Sequence, residues 1–239
     1  MELKAHIPNA VTLLNLISGS VAAILLLKGY PTEAALLVGL SALFDFLDGF
    51  FAKLLNVKSM IGKELDSLAD VISFGLVPAL FLYYIMSRNE LVESGNTLYS
   101  ILPYFSLLIA AFSALRLAKF NLDNRQTVSF LGLPTPANAV FIVSFAIVVL
   151  QGNSGFSIID NIAGNLWVQL LIIPVSCVLL ISELPMFSLK FYKGYGFKTN
   201  IIRYTFLLGT IILVVLLSWT GILFSIMLYI IMSVIFGEK

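Results

Sequence analysis

Runs of about twenty apolar residues recur along the whole chain, and nothing else in the sequence restricts its fold so severely. A transmembrane helix needs about 20 mostly apolar residues. Lipid offers the backbone no hydrogen-bond partners, so runs of this kind must be helical. Eight spans are expected, at residues 8–28, 32–56, 62–86, 98–121, 134–151, 165–183, 201–218 and 220–236. Pro31 and Thr32 open the second, and Pro134-Thr135-Pro136 opens the fifth, each with proline where a helix start tolerates it. Little more than Thr220-Gly221 joins the last two, so they should form a tight antiparallel hairpin. The composition agrees: 59% of residues are hydrophobic and 11% charged, against roughly 25% charged in a soluble domain. The expected fold is an all-α polytopic membrane bundle of about eight transmembrane helices, a single domain over residues 1–239 without internal repeats.

Charge sets the orientation and removes some functions. A net charge of +1 gives no bulk attraction for nucleic acid. With the N-terminus in the cytoplasm, 12 of the 14 Lys and Arg residues fall on cytoplasmic loops and helix ends, and only Lys28 and Arg88 on the other side. That bias predicts an integral cell-membrane protein with both termini cytoplasmic. The start of the chain, "MELKAHIPNAVTLLNLISGSVAAILLLKG", differs from a cleaved signal because Pro8, Asn9, Thr12 and Asn15 interrupt its apolar run. Cys177 is the one cysteine, which leaves no disulfide within the chain and suggests a packed apolar thiol.

Against this background one stretch stands apart: "LFDFLDGFFAKLLNVKSMIGKELDSLADVISFG", residues 43–75. Asp45 and Asp48 are three apart on the second span, and Asp66 and Asp70 are four apart on the third, so each pair shares a helix face. The two spans are joined by the short cytoplasmic loop 54–61, so all four carboxylates can converge near one end of a helix pair. An ionised Asp at the bilayer centre costs about 2.5–3.5 kcal/mol on insertion scales, and converging carboxylates repel one another. Divalent cations, two or so, would relieve both problems. Oxygen donors without His or Cys suit Mg²⁺ or Mn²⁺ and not zinc. Gly49 leaves a gap for close approach to the backbone, and Lys53, one turn on, suits a phosphate-bearing ligand. Spacing alone also admits structural pairing with basic residues, or an ion or proton pathway as in an ion-coupled carrier.

Written as Asp45-x2-Asp48-Gly49-x2-Ala52-Lys53-x8-Gly62-x3-Asp66-x3-Asp70, the stretch resembles the defining motif of the CDP-alcohol phosphatidyltransferases. Three further segments, "IPNAVTLLNLISG", "GKELDSLADVISFGLVPA" and "ALRLAKFN" followed by "FLGLPTPANA", are similar to the integral-membrane phosphatidylserine synthase branch. Together the resemblance covers residues 7–140. Lys53 departs from the family's usual arginine; it keeps the charge and loses the planar two-pronged grip.

The resemblance implies transfer of a phosphatidyl group from CDP-diacylglycerol, or an archaeal ether analogue, to L-serine with release of CMP. Another alcohol such as inositol phosphate or glycerol phosphate is the alternative acceptor. It implies two divalent metals, with Asp45 and Asp66 on both, Asp48 on one, and Asp70 on the other and acting as general base. Pro8, Asn9, Thr12, Gly49, Ala52, Lys53, Ser59 and Gly62 would line the CDP-lipid pocket. For serine, Arg116 and Arg125 would meet the carboxylate, and Asn121 or Asp123 the ammonium, at the cytoplasmic end of the fourth span. A six-helix core, a homodimer and an active site open sideways to membrane lipid also follow from the resemblance.

Overall fold

The computed structural model describes residues 6–57, 59–122, 130–152, 154–186 and 200–236. The chain is all-α. Three helices come first: α1 (His6–Leu27), α2 (Pro31–Leu54) and α3 (Met60–Ser87). The short α4 (Glu90–Glu93) precedes α5 (Thr97–Leu122) and α6 (Thr135–Gln151). Then come α7 (Ser157–Gly164), α8 (Leu166–Ile181) and α9 (Ile201–Phe236). Five of these are long and apolar enough to cross a membrane, and six if α7 and α8, bent by 75° at their junction, count as one. α6, at 17 residues, is just shorter.

The expected starts at Pro31 and Pro134-Thr135 hold, with proline in the first turn of both α2 and α6. Three expected spans differ in form. The sixth is a bent pair, because Asn165 ends α7 in extended backbone and caps α8 by accepting from the Trp167 N–H at 2.9 Å. The last two form one helical stretch broken at Ser218, where φ is 50°. The break comes two residues before the expected turn. It reverses the chain: the Phe206 and Tyr229 rings lie 6.1 Å apart, whereas 23 residues of continuous helix would separate them by about 35 Å. Gly221 sits inside the reversal, where a Cβ would strike the Leu213 carbonyl.

α3 is the central helix. Its apolar window is 67% buried, against 22–33% for the other four long helices. Phe74, Phe81, Leu82 and Met86 are fully enclosed by α1, α5, α6 and α8. The other helices turn large apolar side chains outward, such as Leu36 and Phe46 on α2 and Val215 and Leu216 on α9. In water that surface would be an aggregation hazard; in a bilayer it is the lipid-facing one.

Lipid-facing helices gain little from burial against each other, so close contact and hydrogen bonds hold them together. α1 carries the small residues Ser18, Gly19 and Ala22 on its buried face, and α2 answers with Ala34, Ala35 and Ser41. Ser18 donates to the Leu37 carbonyl at 2.9 Å. The Asn15 carbonyl accepts from two hydroxyls, Ser41 of α2 at 3.2 Å and Ser73 of α3 at 3.1 Å. Ser73 lies in a π-helical segment of α3, Val71–Leu76. Such wide turns recur at functional sites, and this one begins directly after Asp70. It brings Ser73 so close to α1 that a Cβ on Gly19 would collide with the Ser73 hydroxyl and stand 2.8 Å from its Cα.

The segment "FLGLP" before α6 is pinned to the end of α8. Phe130–Leu131 pair antiparallel with Pro185–Met186. The Gly132 and Leu133 N–H groups donate to the Leu184 and Leu179 carbonyls, both at 2.9 Å. Gly132 has φ 73° and would place a Cβ 2.8 Å from two carbonyl oxygens, so only glycine fits there.

The Gly19 contact yields a direct test. Gly19→Ala should push α3 away from α1 and destabilise the protein by about 1–3 kcal/mol, the usual range for overpacking. Gly39→Ala on α2, where a Cβ meets nothing within 4 Å, should leave the thermal midpoint in detergent unchanged or raised. Equal midpoints for the two variants would contradict the contact.

Candidate metal centre and adjoining cavity

The last turns of α2 and the first turns of α3 place four carboxylates together. Asp45 and Asp48 project from the same face of α2, and Asp66 and Asp70 from the facing side of α3. One oxygen each of Asp45, Asp48 and Asp66 lies within 4.8 Å of the other two. Asp70, one turn further into the bundle, stands outside this triad and within electrostatic range of all three. Asp48 and Asp70 are 7% exposed, so water screens them poorly.

α1 holds the acids in place. The Thr12 hydroxyl lies 2.6 Å from Asp48 Oδ2 and 3.1 Å from the Pro8 carbonyl; its single proton goes to the carboxylate. Asn15 Nδ2 donates to Asp70 Oδ1 at 3.2 Å. The Arg116 guanidinium on α5 is within electrostatic range of Asp70 and of Tyr229 on α9, and its Nε has no hydrogen-bond partner among the described residues. Asp66 Oδ1 is also buried and unpartnered among the described residues. Three converging carboxylates with an unanswered buried oxygen fit a hard divalent cation, which takes oxygen donors.

A cavity of about 480 Å³ opens beside the triad, between the first turns of α1, the end of α2 and the start of α3. Pro8, Asn9, Thr12, Gly49, Ala52, Ser59 and Gly62 all line it. The two glycines serve different purposes. A Cβ on Gly49 would meet nothing within 4 Å and would occupy cavity space, whereas one on Gly62 would stand 2.8 Å from Asn9 Oδ1. Ser59 is also the N-cap of α3, accepting from the Gly62 N–H at 3.1 Å.

Other expected residues lie elsewhere. Lys53 is exposed and does not line the cavity; Lys63, which the sequence reading left aside, does. Lys63 Nζ donates to the Asn121 carbonyl at 3.0 Å, and Asn121 Nδ2 to the Ser67 hydroxyl at 2.8 Å, so Asn121 joins α5 to α3. Asp123 and Arg125 lie outside the described residues. Asn15 was also missed as a functional residue. Its signal was spacing: Pro8, Thr12, Asn15 and Gly19 recur at helical period on one face of an apolar helix.

The triad predicts a metal-binding difference independent of any reaction. Titration with Mn²⁺, read by electron paramagnetic resonance, should show binding that Asp45→Asn and Asp66→Asn each weaken at least tenfold, while Glu33→Gln at the far end of α2 has no effect. Unchanged Mn²⁺ affinity in both Asp variants would refute the centre.

Comparison with known proteins agrees with this arrangement. The profile of the CDP-alcohol phosphatidyltransferase family matches residues 5–182. A Helicobacter pylori protein named CDP-diacylglycerol–serine O-phosphatidyltransferase is 32% identical over 203 residues, which cover 75% of this chain and 82% of the relative. Proteins of the same name from Methanocaldococcus jannaschii and Mycobacterium tuberculosis are 37% identical over 139 residues and 31% over 187 residues. The first match covers 58% of this chain and 59% of the archaeal protein; the second covers 75% and 60%. The chain thus spans about 60% of the mycobacterial relatives' length. With the aspartate motif, the gathered carboxylates and a profile match over most of its length, this chain belongs to the CDP-alcohol phosphatidyltransferase family.

Proposed function

We propose that the chain transfers a phosphatidyl group from CDP-diacylglycerol to the hydroxyl of L-serine and releases CMP. The observation that carries this reading is the meeting of Asp45, Asp48 and Asp66 at one point, with Asp70 beside them and a cavity opening alongside. The names of the relatives support serine as the acceptor. The family uses divalent metals, and the all-oxygen donor set suits Mg²⁺ or Mn²⁺. Asp45 and Asp66 would hold two such ions in common, with Asp48 on one and Asp70 on the other. Bound there, the ions supply positive charge against the pyrophosphate and the phosphoryl group in transfer.

The chain's own residues do the rest. Asp70 takes the proton of the serine hydroxyl as that oxygen attacks the phosphorus next to the lipid glycerol. The bond from that phosphorus to the CMP oxygen breaks, and CMP leaves with the electron pair. Asn15 holds one Asp70 oxygen and leaves the other for the incoming hydroxyl. The open space at Gly49 and the small Ala52 leave room for the CDP group, and Lys63 supplies the cavity's positive charge. Arg116 suits the serine carboxylate, because its Nε has no partner among the described residues and its charge faces Asp70. Thr135 and Asn138 on α6 are buried, with polar atoms that have no partner among the described residues, and offer further contacts to a polar acceptor.

For topology we propose eight crossings with both termini and the active site on the cytoplasmic side. The basic bias supports the orientation, and the reversal at Ser218, the bent α7–α8 pair and the apolar α6 support the count.

Purified protein with Mn²⁺ or Mg²⁺ should release CMP from CDP-diacylglycerol in the presence of L-serine, and neither glycerol phosphate nor inositol phosphate should replace it. Asp70→Asn should lower kcat by about 10²–10⁴, the usual contribution of a general base, and Arg116→Gln should raise the KM for serine at least tenfold. Serine-independent release, or full activity of Asp70→Asn, would overturn the assignment. For the phosphate contact, Lys63→Ala should raise the KM for the CDP-lipid more than Lys53→Ala does. The reverse order would return that role to Lys53.

A further inference from the structure

A second cavity lies at the far end of the bundle. Arg88 on its wall directly follows α3, eighteen residues beyond Asp70; that many helical residues span about 27 Å, close to the hydrocarbon thickness of a bilayer. The cavity holds about 600 Å³, between the end of α3, α4, the end of α6 and the start of α8. No residue of the metal centre or its adjoining cavity lines it.

Its wall has three chemical parts. The first is a cation. The Arg88 guanidinium lies 3.5 Å from the Tyr84 ring centroid and forms no ion pair among the described residues. The second is an unanswered acceptor. Gln169 lines the cavity at 1% exposure. Its Nε2 donates to the Ala163 carbonyl at 3.0 Å, which fixes which end of the amide is oxygen. Its Oε1 then has no partner among the described residues, a costly state for a buried carbonyl unless a donor reaches it. The third is an interfacial rim: Glu90 adds a negative charge, and Trp167, 56% exposed, packs edge-on against Tyr99 at 6.5 Å. Exposed Trp at a helix end is characteristic of the membrane–water boundary.

We propose that this cavity binds a phosphate ester carrying an ammonium group. The phosphate would pair with Arg88, and the ammonium would donate to Gln169 Oε1 and face Glu90. Aminophospholipid headgroups and free aminoalcohol phosphates share that chemistry. The site is separate from the proposed transfer reaction and stands or falls independently of it.

Trp167 reports on the cavity. The chain has 2 tryptophans, so Trp219→Phe leaves Trp167 as the sole emitter. The full chain in phosphatidylcholine nanodiscs would be titrated with phosphatidylethanolamine and, separately, with O-phosphoethanolamine. Phosphatidylcholine keeps the phosphate and lacks an N–H donor. Native mass spectrometry of the unmodified chain gives a second readout of retained lipid. The expected result is a saturable change in Trp167 emission, with phosphatidylethanolamine retained over phosphatidylcholine. Arg88→Gln, at an exposed position where folding is not at risk, should weaken binding at least tenfold, in keeping with a lost charge-assisted contact. A response to the lipid alone assigns a bilayer headgroup, and a response to O-phosphoethanolamine assigns the soluble ester as well. Equal retention of the two lipids with no response to O-phosphoethanolamine, or full binding by Arg88→Gln, would overturn the proposal and leave water as the occupant.

Discussion

Asn15 ties the acid cluster of this protein together. Its carbonyl accepts hydroxyls from Ser41 on α2 and Ser73 on α3, and its side chain donates to Asp70. Three helices that lipid does little to press together therefore meet at one peptide unit. Thr12, one turn earlier, holds Asp48 in the same way. Through these contacts α1, which contributes no carboxylate, sets the spacing of carboxylates on two other helices. The acids would otherwise repel one another and separate.

The same contacts explain the irregular backbone. A continuous α-helix through Val71–Leu76 would rotate Ser73 away from Asn15 and Gly75 away from Ser113 of α5. The π-helical turn adds the angular offset that keeps both contacts and Asp70 in place. Gly19 lets α1 approach that turn closely enough for the hydrogen bond to form. Irregular backbone here accompanies close helix packing, directly after Asp70.

Much of this could be read from the sequence, for definite reasons. Apolar length alone gave helices, and spacings of three and four placed each aspartate pair on one face, as the structure has them. The small residues Gly49, Ala52 and Gly62 marked the cavity because a motif fixes their order along two helices. Other features depend on three-dimensional contacts that no local pattern encodes. Lys53 follows Asp48 by five residues and Lys63 precedes Asp66 by three; both carry the same charge, and the rotation of α2 and α3 decides which one faces the cavity. Asn121, expected to meet the serine ammonium, also donates its Nδ2 to the Ser67 hydroxyl across a helix interface, a contact that no local pattern marks. The expected reversal between the last two spans occurs, displaced to Ser218. Helix ends are set by the packing of the turn as well as by its residues.

The triad, Asp70 and the two α1 side chains that hold them lie between Thr12 and Asp70, on three consecutive helices. Its defining hydrogen bonds close 36 residues between Thr12 and Asp48 and 55 between Asn15 and Asp70, so these contacts are complete within the first 70 residues of the chain. Chains fold as they are made, with early segments first. The acid cluster can thus close while much of the chain is still to be synthesised. The later helices, α5 with Arg116 among them, then dock onto a centre that is already formed.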